Sequence, residues 1–258
     1  MAGDIGGMLA ALAPAGLAWP VAAGLLALSF ATSFVTAAFG IGGGAILLAV
    51  LAVILPPAVL IPVHGAIQIG SNAGRAAILI RHAYRPALPS FVGGSLLGVM
   101  LGGLFAVNLP PWAVQIGVGC FILWSVFGAK PRFRRGSAAV TGAFSSFLTM
   151  FFGATGSFVA AYVKTLDLDR VSHVATHATF MTIQHVLKVI VFGILGFAFG
   201  SYLPLVAGMI ATGFLGTVAG KAVLLRIDDG RFRLALSSIL VVLALRLIYA
   251  GGRSVLGI

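Results

Sequence analysis

Two polar stripes interrupt otherwise apolar segments of this chain. The first consists of His64, Gln68, Ser71 and Arg75, spaced by four, three and four residues, and Asn72 flanks it. In an α-helix this spacing places the four side chains on one face. Guanidinium, amide and hydroxyl groups donate hydrogen bonds to an anion, and an imidazole exchanges protons near neutral pH. The stripe therefore has the groups needed for anion binding and proton exchange.

The second stripe repeats the first at an offset of 113 residues. The corresponding pairs are His64 with His177, Asn72 with His185, and Arg75 with Lys188. Gln184 lies on the second stripe, and Met181 stands where Gln68 stood. Apolar matches arise easily by chance, but a shared histidine and a shared cation at one offset indicate an internal repeat.

Each stripe ends in a cation inside an apolar run. Such a cation costs about 2.5–3.5 kcal/mol on insertion scales. The chain has no glutamate, and its five aspartates lie at the terminus or in loops, so no acid in an apolar run neutralises either cation. Arg75, six residues before Arg81, can instead extend to the membrane edge, whereas Lys188 is far from both ends of its run. We expect Lys188 to bind a transported anion, with Arg75 as its partner or gate.

Other interpretations of the polar residues are structural, metal-binding or catalytic. Lipid offers no hydrogen-bond partners, so Ser71, Thr176 and Thr179 also suit hydrogen bonds between helices. His173 and His177 share a helix face, but no carboxylate or cysteine completes a metal shell. Thr182 near His185 lacks an acid to orient a catalytic pair. We predict no metal, no cofactor and no enzymatic activity.

Glycine-rich breaks precede both stripes at corresponding positions. Glycine lets the chain leave helical geometry and brings backbone N–H groups close to a ligand. The helices expected to begin near Ala45 and Phe158 would also present the positive ends of their dipoles. Paired breaks in inverted repeats are typical of secondary transporters, whose sites lie where the repeats meet. The break residues expected to contact substrate are Gly42, Gly43, Gly44, Thr155, Gly156 and Ser157.

The composition identifies the environment of these residues. The 258-residue chain is 60% hydrophobic and 8% charged, whereas a soluble domain carries roughly 25% charged residues. Its 35 glycines are about twice the usual share and favour helices packed through small residues over a β-barrel. The small-residue pairs Gly98/Gly102 and Gly216/Gly220 fit such packing. The predicted fold is an all-α integral membrane protein, an inverted-repeat bundle of about 8–10 transmembrane segments with two glycine-broken, re-entrant helical hairpins.

The charge distribution predicts the orientation. The chain carries 16 lysines and arginines against five acids, and the basic residues cluster at the ends of apolar runs rather than along one face. The positive-inside rule explains this pattern better than nucleic-acid binding does. The loops predicted to be cytoplasmic are 81–85, 130–136, 164–170 and 221–233. Basic loops of one half correspond to neutral loops of the other, so the halves are inverted. The lone Cys120 excludes an intramolecular disulfide and a cysteine-based metal cluster.

The repeat also predicts the domain organisation. We expect an N-terminal membrane repeat over 15–129, a basic cytoplasmic linker over 130–137, and an inverted C-terminal repeat over 138–250. Only 28 residues separate Arg135 from Lys164, whereas two full crossings need roughly 40. The segment 138–163 is therefore either a pair of short, tilted helices or a re-entrant hairpin.

Several of these motifs resemble the TauE/SafE family of membrane permeases. The resemblance is carried by Phe34–Gly44 (FVTAAFGIGGG), by Asn72 and Arg75 before a basic loop, and by the weaker copy Phe147–Gly156. It implies a polytopic inner-membrane carrier of small anions such as sulfite or sulfonates, usually in the export direction. The second break reads GATGS instead of GIGGG, and His185 replaces Asn72. The identity of the substrate therefore does not follow from the resemblance.

Together these features predict a secondary transporter that exports a small anion by alternating access with ion coupling. The expected substrate contacts beyond the breaks are Arg75, Lys188, Asn72, His185, Gln68 and Gln184, with His64 and His177 as the proton-coupling residues. The competing functions are a cation or metal carrier, a channel, and a membrane scaffold without transport activity. Missing intramembrane carboxylates argue against a cation. The predicted partners are the anion and the lipid bilayer, and the packing glycines allow a homodimer without requiring one.

Overall fold

The computed structural model describes residues 17–40, 42–106, 109–129, 133–222 and 229–257. Over these ranges it contains α-helices and short 3₁₀ turns and no strand, which confirms the all-α prediction. Residues 15–16 of the first predicted repeat, 130–132 of the linker and 223–228 of the last basic loop lie outside the described residues.

The described residues form ten α-helices in two sets of five. The first set is α1 (Trp19–Phe39), α2 (Gly43–Ile54), α3 (Pro57–Leu79), α4 (Leu88–Ala106) and α5 (Pro111–Phe127). The second set is α6 (Ala138–Phe152), α7 (Gly156–Lys164), α8 (Arg170–Ile194), α9 (Leu203–Lys221) and α10 (Asp229–Leu256). The offset of 113 residues relates the ends of α1 and α6 and the starts of α2 and α7 and of α3 and α8.

Five segments are long and apolar enough to cross a membrane. They are Trp19–Phe39, Arg85–Ala106, Arg170–Ile194, Phe199–Lys221 and Ser237–Leu256. Helix α3, at 23 residues, also has the length of a crossing, since about 20 residues span ~30 Å of hydrocarbon. The protein is therefore a multi-pass membrane protein.

Glycines with positive φ end α1 and α6. Gly40 has φ 87° and Gly153 has φ 73°, a left-handed conformation that costs residues with a Cβ roughly 1–2 kcal/mol. Each backbone N–H bonds the carbonyl four residues back, that of Thr36 or Thr149, and closes the helix. The chain then reverses into α2 or α7, so each break is the tip of a helical hairpin.

The α6–α7 hairpin enters and leaves at the same end of the molecule. Helix α6 has 15 residues, about 22 Å at 1.5 Å per residue, which is shorter than a full crossing. The Tyr162 hydroxyl near the end of α7 donates to the carbonyl of Arg135, just before α6, at 3.2 Å. Helix α7 has only nine residues and cannot cross either, so the hairpin is re-entrant. We call the end of the molecule that holds Arg135 the linker end.

Glycines bring helices of opposite halves into close contact. Helix α4 packs on α6, and α9 packs on α1. A Cβ added at Gly98 would lie 2.2 Å from the Ala143 carbonyl oxygen, and one at Gly216 would lie 2.1 Å from that of Phe30. Gly102 and Gly220 are similarly crowded. The packing role predicted for these four glycines is confirmed.

Helices α3 and α8 pack on each other at the centre, where both hairpin tips meet them. A Cβ at Gly153, in the second hairpin, would lie 3.3 Å from His64 Nδ1 on α3. A Cβ at Gly40, in the first hairpin, would lie 3.5 Å from Val174 on α8. Each tip thus contacts the polar helix of the other half, and this contact builds the site.

Candidate functional site

A cavity of about 350 Å³ lies between the two hairpin tips and the polar helices α3 and α8. Residues near one end of α5 and of α10 complete its wall. The polar lining residues are Thr36, Gln68, Asn72, Arg75, Ser125, Ser157, His177, His185 and Ser237. Apolar residues, including Phe39, Val126, Met181 and Leu240, cover the remainder. Arg75 is the one lysine or arginine in this lining.

Arg75 is fixed by neighbours on two helices. Its side chain is 3% exposed, and Nη1 donates to the Thr36 carbonyl at 3.1 Å. Nη2 donates to Asn72 Oδ1, while Asn72 Nδ2 donates to the Gln68 carbonyl at 2.8 Å. Thr36 lies in the last turn of α1, where the helix dipole is negative and favours a cation. The guanidinium is therefore held at the cavity instead of extending to the membrane edge.

Lys188 occupies a different environment from Arg75. Its side chain is 0% exposed and lies over Gly65 of α3, where an added Cβ would be 2.5 Å from Cε and 3.2 Å from Nζ. Nζ is 3.5 Å from Thr149 Oγ1 on α6, the counterpart of Thr36. Lys188 is not among the residues that line the cavity.

His64 and His177 hold the first turns of the two half-helices. His64 Nε2 lies 3.0 Å from the Gly44 carbonyl, and His177 Nε2 lies 3.0 Å from the Gly156 carbonyl. Because a carbonyl oxygen only accepts, each Nε2 carries the hydrogen. Both Nδ1 atoms lack a hydrogen-bond partner among the described residues. The two histidines therefore make matching contacts, and each keeps one free nitrogen.

His185 differs from the other two histidines. It lines the cavity, is 0% exposed to solvent, and neither ring nitrogen has a hydrogen-bond partner within the described chain. Its ring meets that of His64 edge-on, with centroids 5.9 Å apart. Buried polar groups are normally paired, so His185 is an unused donor or acceptor at the cavity wall.

Some of the break residues line the cavity, and the others pack against neighbouring helices. Gly42, Gly44, Gly153, Gly156 and Ser157 line the cavity. Gly43 instead packs on α1, since an added Cβ would lie 1.8 Å from the Thr32 carbonyl oxygen. The side chain of Thr155 accepts a hydrogen bond from Gln184, whose amide also donates to the Ser145 carbonyl at 3.0 Å. Gln184 and Thr155 therefore tie the second hairpin to α8, away from the cavity.

The half-helices begin two residues earlier than the sequence predicted. Helices α2 and α7 start at Gly43 and Gly156 rather than near Ala45 and Phe158. Neither start has a side-chain cap, so first-turn N–H groups remain without a side-chain acceptor at the cavity. Glycine was expected to delay the helix, but Gly43 is kept helical by its close contact with α1.

The cavity thus brings together most of the predicted site residues. Its lining contains Arg75, Asn72, Gln68, His177, His185, Gly42, Gly44, Gly156 and Ser157. Lys188, Gln184, His64, Gly43 and Thr155 are adjacent to it without lining it. Three further polar residues of the lining, Thr36, Ser125 and Ser237, were not predicted from the sequence. The only sequence feature that pointed to Ser125 and Ser237 was the presence of serine within an otherwise apolar run.

The described residues also define what the site can hold. No three His, Cys, Asp or Glu side chains within the described ranges are placed to bind a metal ion. The chemistry available at the cavity is therefore one guanidinium, neutral donors and histidine nitrogens, a set that suits a small anion.

Comparison with known families gives one match. The family model described as "Sulfite exporter TauE/SafE" matches residues 25–247. The matched range contains every residue of the cavity wall. Comparisons with curated proteins and with solved structures find no match.

Proposed function

We propose that this chain, which belongs to the TauE/SafE sulfite exporter family, is a secondary transporter that exports a small anion such as sulfite or an organosulfonate. Members of the family are membrane transporters, and we infer no enzymatic activity for this one. The observation that carries the proposal is the buried guanidinium of Arg75 at the cavity wall, with no acidic side chain in any apolar run of the sequence.

The electrostatics of the cavity favour an anion over a cation. Arg75 uses two of its five N–H donors on Thr36 and Asn72, which leaves others for oxygen atoms of a sulfonate or sulfite. The starts of α2 and α7 add the positive ends of two helix dipoles. Carboxylates, which commonly bind cations and metals within membranes, are missing from the apolar runs.

Lys188 extends the positive field of this site. It does not line the cavity, so we propose that it acts on the anion through its charge instead of by direct contact. Buried charges interact more strongly than exposed ones because little water screens them. Gln184 and Thr155 act indirectly as well, by holding the second hairpin against α8.

The domain organisation supports transport by alternating access. We propose two inverted repeats, 15–129 and 138–250, joined by the cytoplasmic linker 130–137. The corresponding helix ends, the paired hairpin tips and the matching contacts of His64 and His177 support this division. Inverted repeats can exchange conformations about a site at their interface.

Helices α5 and α10 supply the gate. They touch through glycines from the middle of α5 towards the end opposite the linker: a Cβ at Gly119 would lie 2.7 Å from Ile248 Cγ1, and one at Gly251 would lie 2.6 Å from Ile116 Cγ1. Towards the linker end, Ser125 and Ser237 of the same helices line the cavity. We propose that this conformation opens towards the linker and is closed on the other side.

The orientation follows from the basic loops. We propose that the protein resides in the cell inner membrane with the basic loops 81–85, 130–136, 164–170 and 221–233 in the cytoplasm. The conformation described here would then receive its anion from the cytoplasm, as an exporter requires. The histidines His64 and His177 are proposed to pass the coupling protons, because each bonds a hairpin through Nε2 and keeps an Nδ1 without a hydrogen-bond partner in the described part of the chain.

Flux through reconstituted vesicles tests the proposed function. Purified protein is placed in proteoliposomes, and uptake of radiolabelled sulfite and of methanesulfonate is measured for wild type, Arg75→Ala and Arg85→Ala. We expect Arg75→Ala to lose at least about 90% of the flux, since one charged hydrogen bond is worth about 1.5–3 kcal/mol. Arg85 is an exposed loop cation, so its variant should retain wild-type flux. Equal flux through all three proteins would overturn the assignment, and no flux through any would favour a scaffold.

A further inference from the structure

The two buried cations occupy corresponding positions but differ in their chemistry. A guanidinium keeps its proton at every physiological pH, whereas a buried lysine amine readily releases one. Arg75 lines the cavity and Lys188 does not. One repeat thus places a permanently charged guanidinium at the cavity. The other places an amine, which can lose its charge, outside the cavity lining.

The surroundings of Lys188 stabilise its ammonium form poorly. An ammonium has three donors, but the one hydrogen bond found for Nζ among the described residues is the 3.5 Å contact with Thr149 Oγ1. Arg75, by comparison, donates to a carbonyl and to an amide oxygen. A buried charge with few partners is costly, and the neutral amine avoids that cost.

The titratable groups on α8 and on the elements packed against it add no negative charge near Lys188. Helix α3 carries His64 and Arg75, α8 carries His177 and His185 as well as Arg170 and His173 near its start, and the 3₁₀ turn Ile80–His82, also packed on α8, carries Arg81 and His82. Helices α4 and α6, also packed on α8, carry no titratable side chain over 88–106 and 138–152. Helix α7 contributes Tyr162, which lies against Phe180, and Lys164 at its far end. An anion in the cavity would therefore be the nearest negative charge to favour the ammonium.

Imidazoles connect the cavity with Lys188. His185 lies on the cavity wall with both ring nitrogens unpartnered within the described chain. It is three residues before Lys188 on α8, a spacing that makes neighbours on a helix. Its ring centroid is 5.9 Å from that of His64, and His64 adjoins Gly65, over which Lys188 lies. Histidine nitrogens both accept and donate protons, so these two imidazoles have the chemistry to pass a proton between the cavity and the amine.

We propose that Lys188 is the coupling-proton site of the transporter, reached from the cavity through His185 and His64, and that one proton travels with each anion, so that export of a monoanion is electroneutral and is driven by the outward concentration gradient of the anion. This inference rests on the proposed function. When an anion enters, an O–H bond of a hydronium ion in the cavity breaks, the proton passes through the imidazoles, and the Lys188 lone pair forms an N–H bond with it, leaving a neutral water in the cavity. When the anion leaves, that N–H bond breaks, the proton returns to water through the imidazoles, and the neutral amine is restored.

Linkage determines the sign of the pH dependence. The protonated lysine favours the anion, so the anion in turn favours protonation by the same factor. Anion affinity should therefore rise as pH falls, by up to about tenfold per pH unit where Lys188 titrates. Lys188→Arg keeps the charge but cannot release the proton, and its affinity should not vary with pH over that range.

Simultaneous measurement of proton and anion movement tests the proposal. Full-length protein is reconstituted with a trapped pH dye, the membrane potential is clamped with potassium and valinomycin, and radiolabelled methanesulfonate is the probe. A sulfonate stays a monoanion across the assay range, so its own titration does not contribute. We expect about one proton per anion for wild type and below about 0.1 for Lys188→Arg, since that variant removes the linked site. The mirror variant Arg75→Lys should bind the anion more weakly while its proton-to-anion ratio stays near that of wild type.

The outcomes separate the two proposals. Anion movement by wild type without protons, or an unchanged ratio in Lys188→Arg, would overturn the proton site and leave anion transport standing. No anion movement by wild type with methanesulfonate or sulfite would overturn the proposed function and the proton site together. If Lys188→Arg does not fold, Lys188→Gln replaces it, and pH-dependent methanesulfonate binding by that neutral variant would contradict the proposal.

Discussion

At the scale of single residues, the site depends on how Asn72 orients Arg75. The Asn72 amide oxygen accepts from Nη2, and its amide nitrogen is anchored on the Gln68 carbonyl. The counterpart His185 makes no such bond within the described residues. The first half of the chain therefore has a preorganised cation, and the second half has an imidazole without a hydrogen-bond partner in the described ranges.

Two substitutions of Asn72 test this arrangement. Asn72→Ala removes the contact that orients Arg75, and we expect the dissociation constant for methanesulfonate to rise about tenfold, because a hydrogen bond to a charged group is worth about 1.5–3 kcal/mol. Asn72→Asp is nearly isosteric, but its carboxylate would neutralise the charge of the Arg75 guanidinium, so methanesulfonate binding should disappear. Binding by Asn72→Asp as tight as that of wild type, measured by equilibrium dialysis, would show that the charge of Arg75 is not used.

Asp169 gives a residue-scale prediction outside the membrane spans. Its carboxylate caps α8 by accepting from the N–H groups of Val171 and Ser172 at 2.9 and 3.0 Å. Hydrogen bonding from Ser172, ahead of that from Val171, holds the pKa of Asp169 below its usual range. The ionised cap should therefore stabilise the protein above the ordinary aspartate pKa, and this contribution should be lost as pH falls through the lowered value.

Thermal unfolding across the acid range checks that cap. Asp169→Ala should unfold at a lower temperature than wild type near pH 7, and the gap should narrow as the pH approaches 3, near and below the usual aspartate pKa of about 3.9. Asp169→Asn keeps an oxygen acceptor at the N-cap and should lie between the two at neutral pH. A gap that is constant with pH would mean that the ionised carboxylate contributes nothing.

The periodicity of the stripes predicted which residues share a helix face, but not what each one touches. Arg75 and Lys188 have equivalent positions in the sequence, yet only Arg75 lines the cavity. The difference arises because Gly65 leaves a slot on α3 that the Lys188 side chain fills. Such a slot depends on the contact between two distant helices and leaves no local pattern.

At the scale of elements, close approach through glycine joins the two halves. Helix α4 offers a matched pair of glycines for testing this. A Cβ at Gly98 would lie 2.2 Å from the Ala143 carbonyl oxygen, whereas a Cβ at Gly93 would meet nothing within 4 Å. Of these two glycines, only Gly98 lies in the contact between α4 and α6.

Gly98→Ala should therefore destabilise the protein and Gly93→Ala should not. Overpacking of a close contact typically costs about 1–3 kcal/mol, and the added methyl at Gly98 must push α6 away. At Gly93 the methyl faces open space and alanine favours the helix. Unfolding of both purified variants in a graded detergent series measures the difference. Equal stability of the two would mean that α4 and α6 do not pack as described.

The sequence predicted the helical hairpins more accurately than their boundaries. Paired glycine runs identified both tips, and the shortness of 138–163 limited the second hairpin to two forms, of which the structure has the re-entrant one. The half-helix starts were misplaced by two residues because Gly43 is held in the helix by α1, a contact that glycine propensity does not describe.

At the scale of the whole molecule, α5 and α10 contact each other through Gly119 and Gly251, and they line the cavity through Ser125 and Ser237, which lie nearer the linker end. Their place in the site could not be predicted from the sequence, since one serine in the apolar run of α5 and two adjacent serines in that of α10 do not indicate which side of a helix faces a cavity. Only their antiparallel pairing, with Gly119 near Ile248 and Gly251 near Ile116, places Ser125 and Ser237 together at the cavity.

Gly251→Leu tests whether these helices form the gate. The larger side chain would collide with Ile116 and the Trp112 carbonyl, so it should hold the end opposite the linker open and thereby close the linker end. Labelling of Ser237→Cys by an impermeant thiol reagent, added from the linker side in a Cys120→Ser background, should slow several-fold. Gly252→Leu is the control, because a Cβ there meets nothing within 4 Å. Identical labelling rates in the two would contradict the gate.

The most direct test of the whole account is to locate a bound anion. A structure of the protein with 2-bromoethanesulfonate, whose bromine marks its position by anomalous scattering, should show the sulfonate in the central cavity. Its oxygen atoms should lie about 2.7–2.9 Å from the Arg75 guanidinium, the range for charge-assisted hydrogen bonds. An anion bound only at the basic loops, with the cavity unoccupied at a saturating concentration, would contradict the account.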